Sequence, residues 1–235
     1  DLLTHGMHRF LADGVHYRDL VDIQAATSDW SQWCRVWSEY AAAAEERGDA
    51  ALRQSLTRTA AGEFGRAALY FHYAQNLYYD DVKVKRAAHD RKVAVFKRAA
   101  PLFDPPLERV AIPFETIALP AYLRLPPGRK PAPCVILLGG LDTTKEDYMV
   151  VNNLCAERGL ATLAFDGPGQ GEVLYEMLWR ADFVRAIYAV LNYLEGRPEI
   201  DRNRIGIIGR STGGYYAPLA AATDARIKAA VAWGA

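Results

Sequence analysis

The chain has 235 residues, 51% of them apolar, and its 28 lysines and arginines balance 28 aspartates and glutamates. Such a chain is globular and long enough to bury a core, as one large domain or a medium one with a smaller companion, which excludes a disordered tail and a disulfide-held miniature. The two signs of charge are equally numerous on either side of Pro105, so neither half has the basic excess of a phosphate-binding surface, and nucleic acid is not expected as a partner.

From about residue 28 to residue 100 the apolar spacing is helical. Trp30, Trp33, Trp37, Tyr40 and Ala44 fall at steps of three or four and share one face, and Gly48 is expected to close that helix. Leu52, Leu56, Ala60, Phe64, Ala67, Phe71, Ala74 and Tyr78 form a second stripe, long enough for one helix or two, with Gly62 and Gly65 marking a kink or a close contact. A third helix is predicted over 84–99. Pro101, Pro105 and Pro106 then end the pattern, because proline lacks the amide donor and clashes with the preceding turn.

Beyond that linker come short β-rich runs at 108–114 and 116–125, then the apolar block Cys134-Val-Ile-Leu-Leu138, which reads as a strand buried on both faces. A helix over 148–158, a strand over 160–165, a helix over 181–195, a strand over 204–208, a helix from Ser211 and a strand over 227–233 follow. Strand alternating with helix predicts an α/β fold, a doubly wound and mostly parallel sheet covered on both faces. The expected division is a helical domain over 1–105 and an α/β domain over 106–235.

The segment that carries chemistry is Gly209-Arg210-Ser211-Thr212-Gly213, set between a buried strand and a helix that begins with small residues. A sharp turn there would hold the serine in strained geometry with its hydroxyl exposed, and glycine is needed on both flanks where a Cβ would collide with strand or helix. The plainer alternative is a tight turn with an N-capping serine. A serine nucleophile needs donors for the oxyanion it creates. The expected donors are the backbone N–H of Thr212 and one from Gly139-Gly140-Leu141 after the 134–138 strand, with Leu141 favoured and Gly140 next. Thr143 and Glu146 have the spacing of a capping box in the same loop. Asp166-Gly-Pro-Gly-Gln-Gly171 lacks the order of a nucleotide-binding loop and is expected to be a structural turn at the carboxyl edge of the sheet.

Leu138-Gly-Gly-Leu-Asp-Thr-Thr-Lys-Glu146, Phe165-Asp-Gly-Pro-Gly-Gln-Gly-Glu172 and Gly209-Arg-Ser-Thr-Gly-Gly214 together resemble the α/β-hydrolases related to 2,6-dihydroxypseudooxynicotine hydrolase and the fungal polyketide-shortening hydrolases. Arg66-Ala-Ala-Leu-Tyr-Phe-His-Tyr-Ala-Gln75 is similar to their amino-terminal domain. The resemblance implies a hydrolase sheet with a helical cap over the serine. It implies hydrolysis of a carbon–carbon bond next to a ketone, without cofactor or metal, by a homodimer. His72, Tyr78 and Tyr79 are the candidate substrate contacts in the helical part, although a histidine or tyrosine on an aromatic helix is more often a packed residue.

In this fold the acid and then the histidine of the triad follow the serine along the chain. All five histidines, His5, His8, His16, His72 and His89, precede Ser211, and Asp224, the one carboxylate after it, stands before a strand. The sequence is therefore expected to be a carboxy-terminally incomplete piece of a larger hydrolase. The expected reaction is attack of Ser211 on a ketone, with ester hydrolysis second and a non-catalytic binding protein on the same scaffold third. Cys34, Cys134 and Cys155 are an odd number of cysteines, two of them in apolar segments, as in a reducing, cytoplasmic compartment. No apolar run is long enough for a membrane span, and residues 1–10 lack the order of a signal peptide, so no membrane partner is expected.

Overall fold

A computed structural model describes residues 2–128 and 130–234. The chain divides into two compact units, Asp1–Asp104 and Pro105–Ala235.

The first unit is helical: α1 (Leu2–Ala12), α2 (Tyr17–Ala26), α3 (Trp33–Arg53), α4 (Thr57–Gln75) and α5 (Val82–Ala99). Its aromatic stripes meet around Trp37, whose ring centre lies 5.5 Å from that of Phe10, 5.6 Å from Trp33, 5.7 Å from Tyr70 and 5.2 Å from Tyr73. The polar ends of three of these rings are satisfied at the edge of the cluster, whereas the buried Trp37 Nε1 has no hydrogen-bond partner among the described residues. Trp33 Nε1 donates to the Tyr73 carbonyl (2.6 Å), Tyr70 to Asp19 (2.5 Å) and Tyr73 to Asp13 (2.6 Å).

Several sequence expectations change here. The α3 stripe continues through Ala41, with Tyr40 half-buried beside it, and Trp30 belongs to a 3-10 turn ahead of the helix. Gly48 does not end α3. It lies mid-helix where a Cβ would stand 2.5 Å from the Phe64 ring, so its lack of a side chain lets α3 and α4 close together. Leu52 and Leu56 lie outside α4, exposed on either side of Ser55, whose φ of 58° turns the chain. Gly65 stands at the anticipated close approach, where a Cβ would lie 3.1 Å from the Phe103 ring, whereas a Cβ on Gly62 would have nothing within 4 Å. Asp81 caps α5 by accepting from the N–H groups of Lys83 and Val84, which starts that helix two residues earlier than its apolar spacing indicates.

The second unit is a six-stranded sheet in the order β1-β2-β4-β3-β5-β6. Its strands are β1 (Leu107–Phe114), β2 (Ile117–Arg124), β3 (Ala132–Leu138), β4 (Ala161–Phe165), β5 (Ile200–Arg210) and β6 (Ile227–Trp233). The first two are antiparallel; β4, β3, β5 and β6 run parallel. From β3 the chain passes through α6 (Met149–Glu157) to β4 on one side, then through α7 (Val184–Glu195) to β5 on the other. The connections therefore cover opposite faces. Leu137, Ala164 and Tyr148 pack together on one face, and Ile136, Leu138, Leu163 and Ile207 pack with Ile187, Val190, Leu191 and Leu194 of α7 on the other. The carboxyl end of β3 is thus the point where strand order reverses, and such crevices are where open α/β sheets bind ligands. No helix among the described residues is long and apolar enough to cross a membrane.

Candidate active site

β5 ends at Arg210 and α8 (Thr212–Thr223) begins two residues later, so Ser211 alone makes the connection. Its φ of 55° and ψ of −124° lie in backbone space that a residue with a Cβ seldom adopts, at a cost of order 1–3 kcal/mol. The surroundings enforce that geometry. A Cβ on Gly209 would stand 1.9 Å from the carbonyl oxygen of Gly213, and one on Gly213 would stand 2.6 Å from the oxygen of Leu138 and 2.7 Å from that of Gly139. Ser211 N–H donates to the Trp233 carbonyl (3.0 Å), and the Ser211 carbonyl accepts from Gly214 N–H (2.7 Å). The serine is exposed, and the first-turn N–H groups of α8, Thr212 foremost, have no acceptor within the helix.

The loop after β3 meets this turn. A Cβ on Gly140 would lie 2.9 Å from the Ser211 Cβ and 3.4 Å from its Oγ, so only glycine lets the loop lie against the serine. Leu141 follows with its side chain largely exposed. The structure therefore brings Ser211, Thr212, Gly140 and the start of Leu141 to the carboxyl ends of β3 and β5. The other candidates belong to the helical unit. His72 is buried with its ring 5.2 Å from Tyr73, Tyr78 is buried 6.3 Å from the Trp30 ring, and Tyr79 is exposed with Lys85 Nζ 4.5 Å over its face. Asp224 is held by Arg226 at 2.6 Å, at the end of α8 away from the serine.

The capping box falls one residue later than the sequence indicates. Thr144 is the cap of the 3-10 turn Lys145–Tyr148, and Asp147 reaches back to its N–H at 2.7 Å, while Thr144 Oγ1 donates to Glu146 at 2.8 Å. That shift turns Lys145 inward. Its side chain is fully buried, with Nζ 2.6 Å from Asp166, 2.7 Å from Glu146 and 2.7 Å from Glu172, and its backbone N–H also donates to Asp166 at 2.9 Å. Asp166 further accepts from the N–H of Glu172 at 3.1 Å, and Arg109 flanks the cluster, 2.9 Å from Glu172.

Burial alone would lower the Lys145 pKa, but the three carboxylates raise it well above the ordinary lysine value. Burial would raise that of Glu172, yet Lys145 and Arg109 hold it below the usual carboxylate range. Burial, with the Glu146 charge, pushes the Tyr122 phenol up to about 12. The oxygens of Glu146, Asp166 and Glu172 lie within 4.8 Å of one another, a spacing that would suit a cation, and the lysine ammonium supplies that charge from within the chain.

The Asp166–Gly171 segment is thus a turn, as expected, and also a clamp. Gln170 donates from Nε2 to the carbonyls of Gly139 (3.0 Å) and Gly140 (2.6 Å). Sequence reading missed Lys145, Gln170 and Glu172 and gave Glu146 and the Asp166 turn only local roles, because polar residues beside turn-forming residues look like a solvated surface.

Comparisons with known proteins place the chain in a family. A family model described as esterase FrsA-like matches residues 15–235. A 2,6-dihydropseudooxynicotine hydrolase from Paenarthrobacter nicotinovorans is 39% identical over 230 residues, which cover 96% of this chain and 61% of that protein. The alpha/beta hydrolase xenA of Xenoacremonium sinensis is 36% identical over 218 residues, 87% of this chain and 51% of its own length. The crystal structure of the 2,6-dihydroxy-pseudo-oxynicotine hydrolase superposes with a TM-score of 0.89 at 36% identity, covering 96% of this chain and 63% of that one. The chain spans between about half and three fifths of the length of these relatives. From the extent of the family match and the identity to these relatives, the chain belongs to the FrsA-like esterase family of α/β-hydrolases.

Proposed function

We propose that the protein is a serine-dependent hydrolase in which Ser211 attacks a ketone carbonyl and the carbon–carbon bond beside it breaks. The observation that carries this reading is the strained φ of 55° at Ser211 with Gly140 packed against its Cβ, a pairing of exposed hydroxyl and backbone donors that a plain turn does not need. In the reaction Ser211 Oγ adds to the carbonyl carbon, and the N–H groups of Thr212 and Leu141 stabilise the resulting oxyanion. Collapse expels the neighbouring carbon as a stabilised carbanion, an enolate where the substrate is a β-diketone, which takes up the proton removed from Ser211, and water then releases the acyl group from the serine. Residues 105–235 contain no histidine; a general base takes the Ser211 proton as Oγ attacks.

The name of the relative at 39% identity favours this class of substrate. Ester hydrolysis is the second reading, supported by the description of the matching family; it uses the same serine and donors with an alkoxide as leaving group. We assign substrate selection to the helical unit, with His72, Tyr78 and Tyr79 as the candidate contacts, of which Tyr79 is exposed. The reading includes a small-molecule ketone or ester as substrate, no nucleic-acid or membrane partner, a homodimer and a cytoplasmic location.

The test is a steady-state comparison of aryl ketones, β-diketones and aryl esters with the protein and its Ser211→Ala variant. Ketone cleavage that disappears in the variant supports the first reading, and ester cleavage alone supports the second. Equal turnover in the variant contradicts both.

A further inference from the structure

The structure assigns to Gln170 the role of a positioning residue that sets which way the Gly140–Leu141 peptide faces, and so whether the Leu141 N–H is available to an oxyanion. This rests on the reading of Ser211 as nucleophile.

Gln170 is fully used and fixed. Its Nε2 gives one hydrogen bond to the Gly139 carbonyl and one to that of Gly140, while its Oε1 accepts from Gly167 N–H at 3.0 Å. Turning the amide over would set oxygen against two carbonyls and NH2 against an N–H, so only one orientation satisfies the site. The residue is 1% exposed. The turn is built to aim it inward. Gly169 and Gly171 on its two flanks have φ of 77° and 46°, and a Cβ on either would stand 2.6 Å from the Trp179 nitrogen or 2.0 Å from Asp166 Oδ2.

The consequence follows from peptide geometry. Among the described residues the one cis bond is Lys130–Pro131, so the Gly140–Leu141 bond is trans. In a trans peptide the carbonyl and the N–H point in opposite directions. With the Gly140 carbonyl turned to Gln170, the Leu141 N–H faces away from it, and Gly140 itself lies against Ser211. Two successive glycines make this stretch free to rotate, and a rotated peptide would present a carbonyl oxygen where the oxyanion needs a donor. Gln170 holds the productive orientation without touching substrate.

The test uses the active protein with Gln170→Ala, Gln170→Glu and Ser211→Ala. Gln170→Ala is expected to lower kcat by about 10²–10³ with KM changed less than about threefold, the pattern of an interaction made only in the transition state. Affinity for a trifluoromethyl ketone, which forms an oxyanion on the serine, should fall in parallel, and affinity for an unreactive alcohol analogue should not. Gln170→Glu cannot donate when ionised, so its kcat should recover as the pH is lowered and the new carboxyl takes up a proton. If Gln170→Ala does not fold, the nearly isosteric Glu variant carries the test. Wild-type kcat and trifluoromethyl ketone affinity in Gln170→Ala, with Ser211→Ala inactive, would overturn the assignment while leaving the nucleophile in place. Full turnover in Ser211→Ala would remove the reading beneath it and this role with it.

Discussion

Gly140 faces Ser211 so closely that a Cβ on the glycine would stand 2.9 Å from the serine Cβ and 3.4 Å from its Oγ. The same added carbon would also lie 3.1 Å from the Arg210 carbonyl. Gly140→Ala must therefore push the loop off the serine turn. It is expected to lower turnover at least about tenfold through a displaced oxyanion donor, and to lower thermal stability as well, because Gly140 is buried and its carbonyl accepts from Gln170. Unchanged kcat in a folded Gly140→Ala protein would show that the loop does not serve the serine.

Gly209 and Gly213 stand under a different constraint, because their missing side chains would meet backbone rather than a movable group. Gly209→Ala is expected to abolish folding or to cost more than about 4 kcal/mol, since the Cβ would overlap the Gly213 carbonyl at the start of α8. Urea unfolding monitored by circular dichroism measures this, and a midpoint close to wild type would contradict the packing.

Lys145 is the charge on which three carboxylates depend. Lys145→Met removes the cation and leaves Asp166 and Glu146 buried without it, an arrangement expected to cost about 3–5 kcal/mol. Because Asp166 and Gln170 share one turn, activity should fall with stability. A variant as stable as wild type by urea titration would mean that the cluster contributes little.

The pH dependence of stability should carry the signature of Glu172. Its pKa in the folded protein lies below its ordinary value of 4.5, so its contribution is present above about pH 4.5 and is lost as the pH falls through the lowered folded value. Lys145 has the opposite sign. Its folded pKa is raised, so its contribution is complete below the ordinary lysine value of 10.5 and is lost only at more alkaline pH. Stability should therefore be level through neutrality and drop as the pH falls below about 4.5, and Glu172→Gln should flatten that acid limb. An acid limb of equal steepness in the variant would contradict the assignment.

The sheet was legible because buried parallel strands read as apolar runs and the helices as period-3.6 stripes; β3, β4, α7 and β6 lie within a few residues of where the sequence puts them. β5 begins at Ile200, four residues before its predicted start, in a polar stretch whose pairing is made by backbone rather than apolar side chains. The glycines at 209 and 213 could be read because their spacing is local to the serine. The Lys145 cluster could not. Its members lie up to 27 positions apart, and only the fold makes a threonine-lysine-glutamate run and a glycine-rich turn into one buried ion network. Gly48 was misread for a related reason, since the Phe64 ring that needs its vacancy is on another helix.

The central claim is that Ser211 is the nucleophile, and it is tested most directly by mass-spectrometric mapping of the active protein after treatment with a fluorophosphonate. The account requires one adduct, on the peptide containing Ser211, lost in Ser211→Ala and formed much more slowly in Gln170→Ala. An adduct on another residue, or none in protein that still turns over substrate, would contradict it.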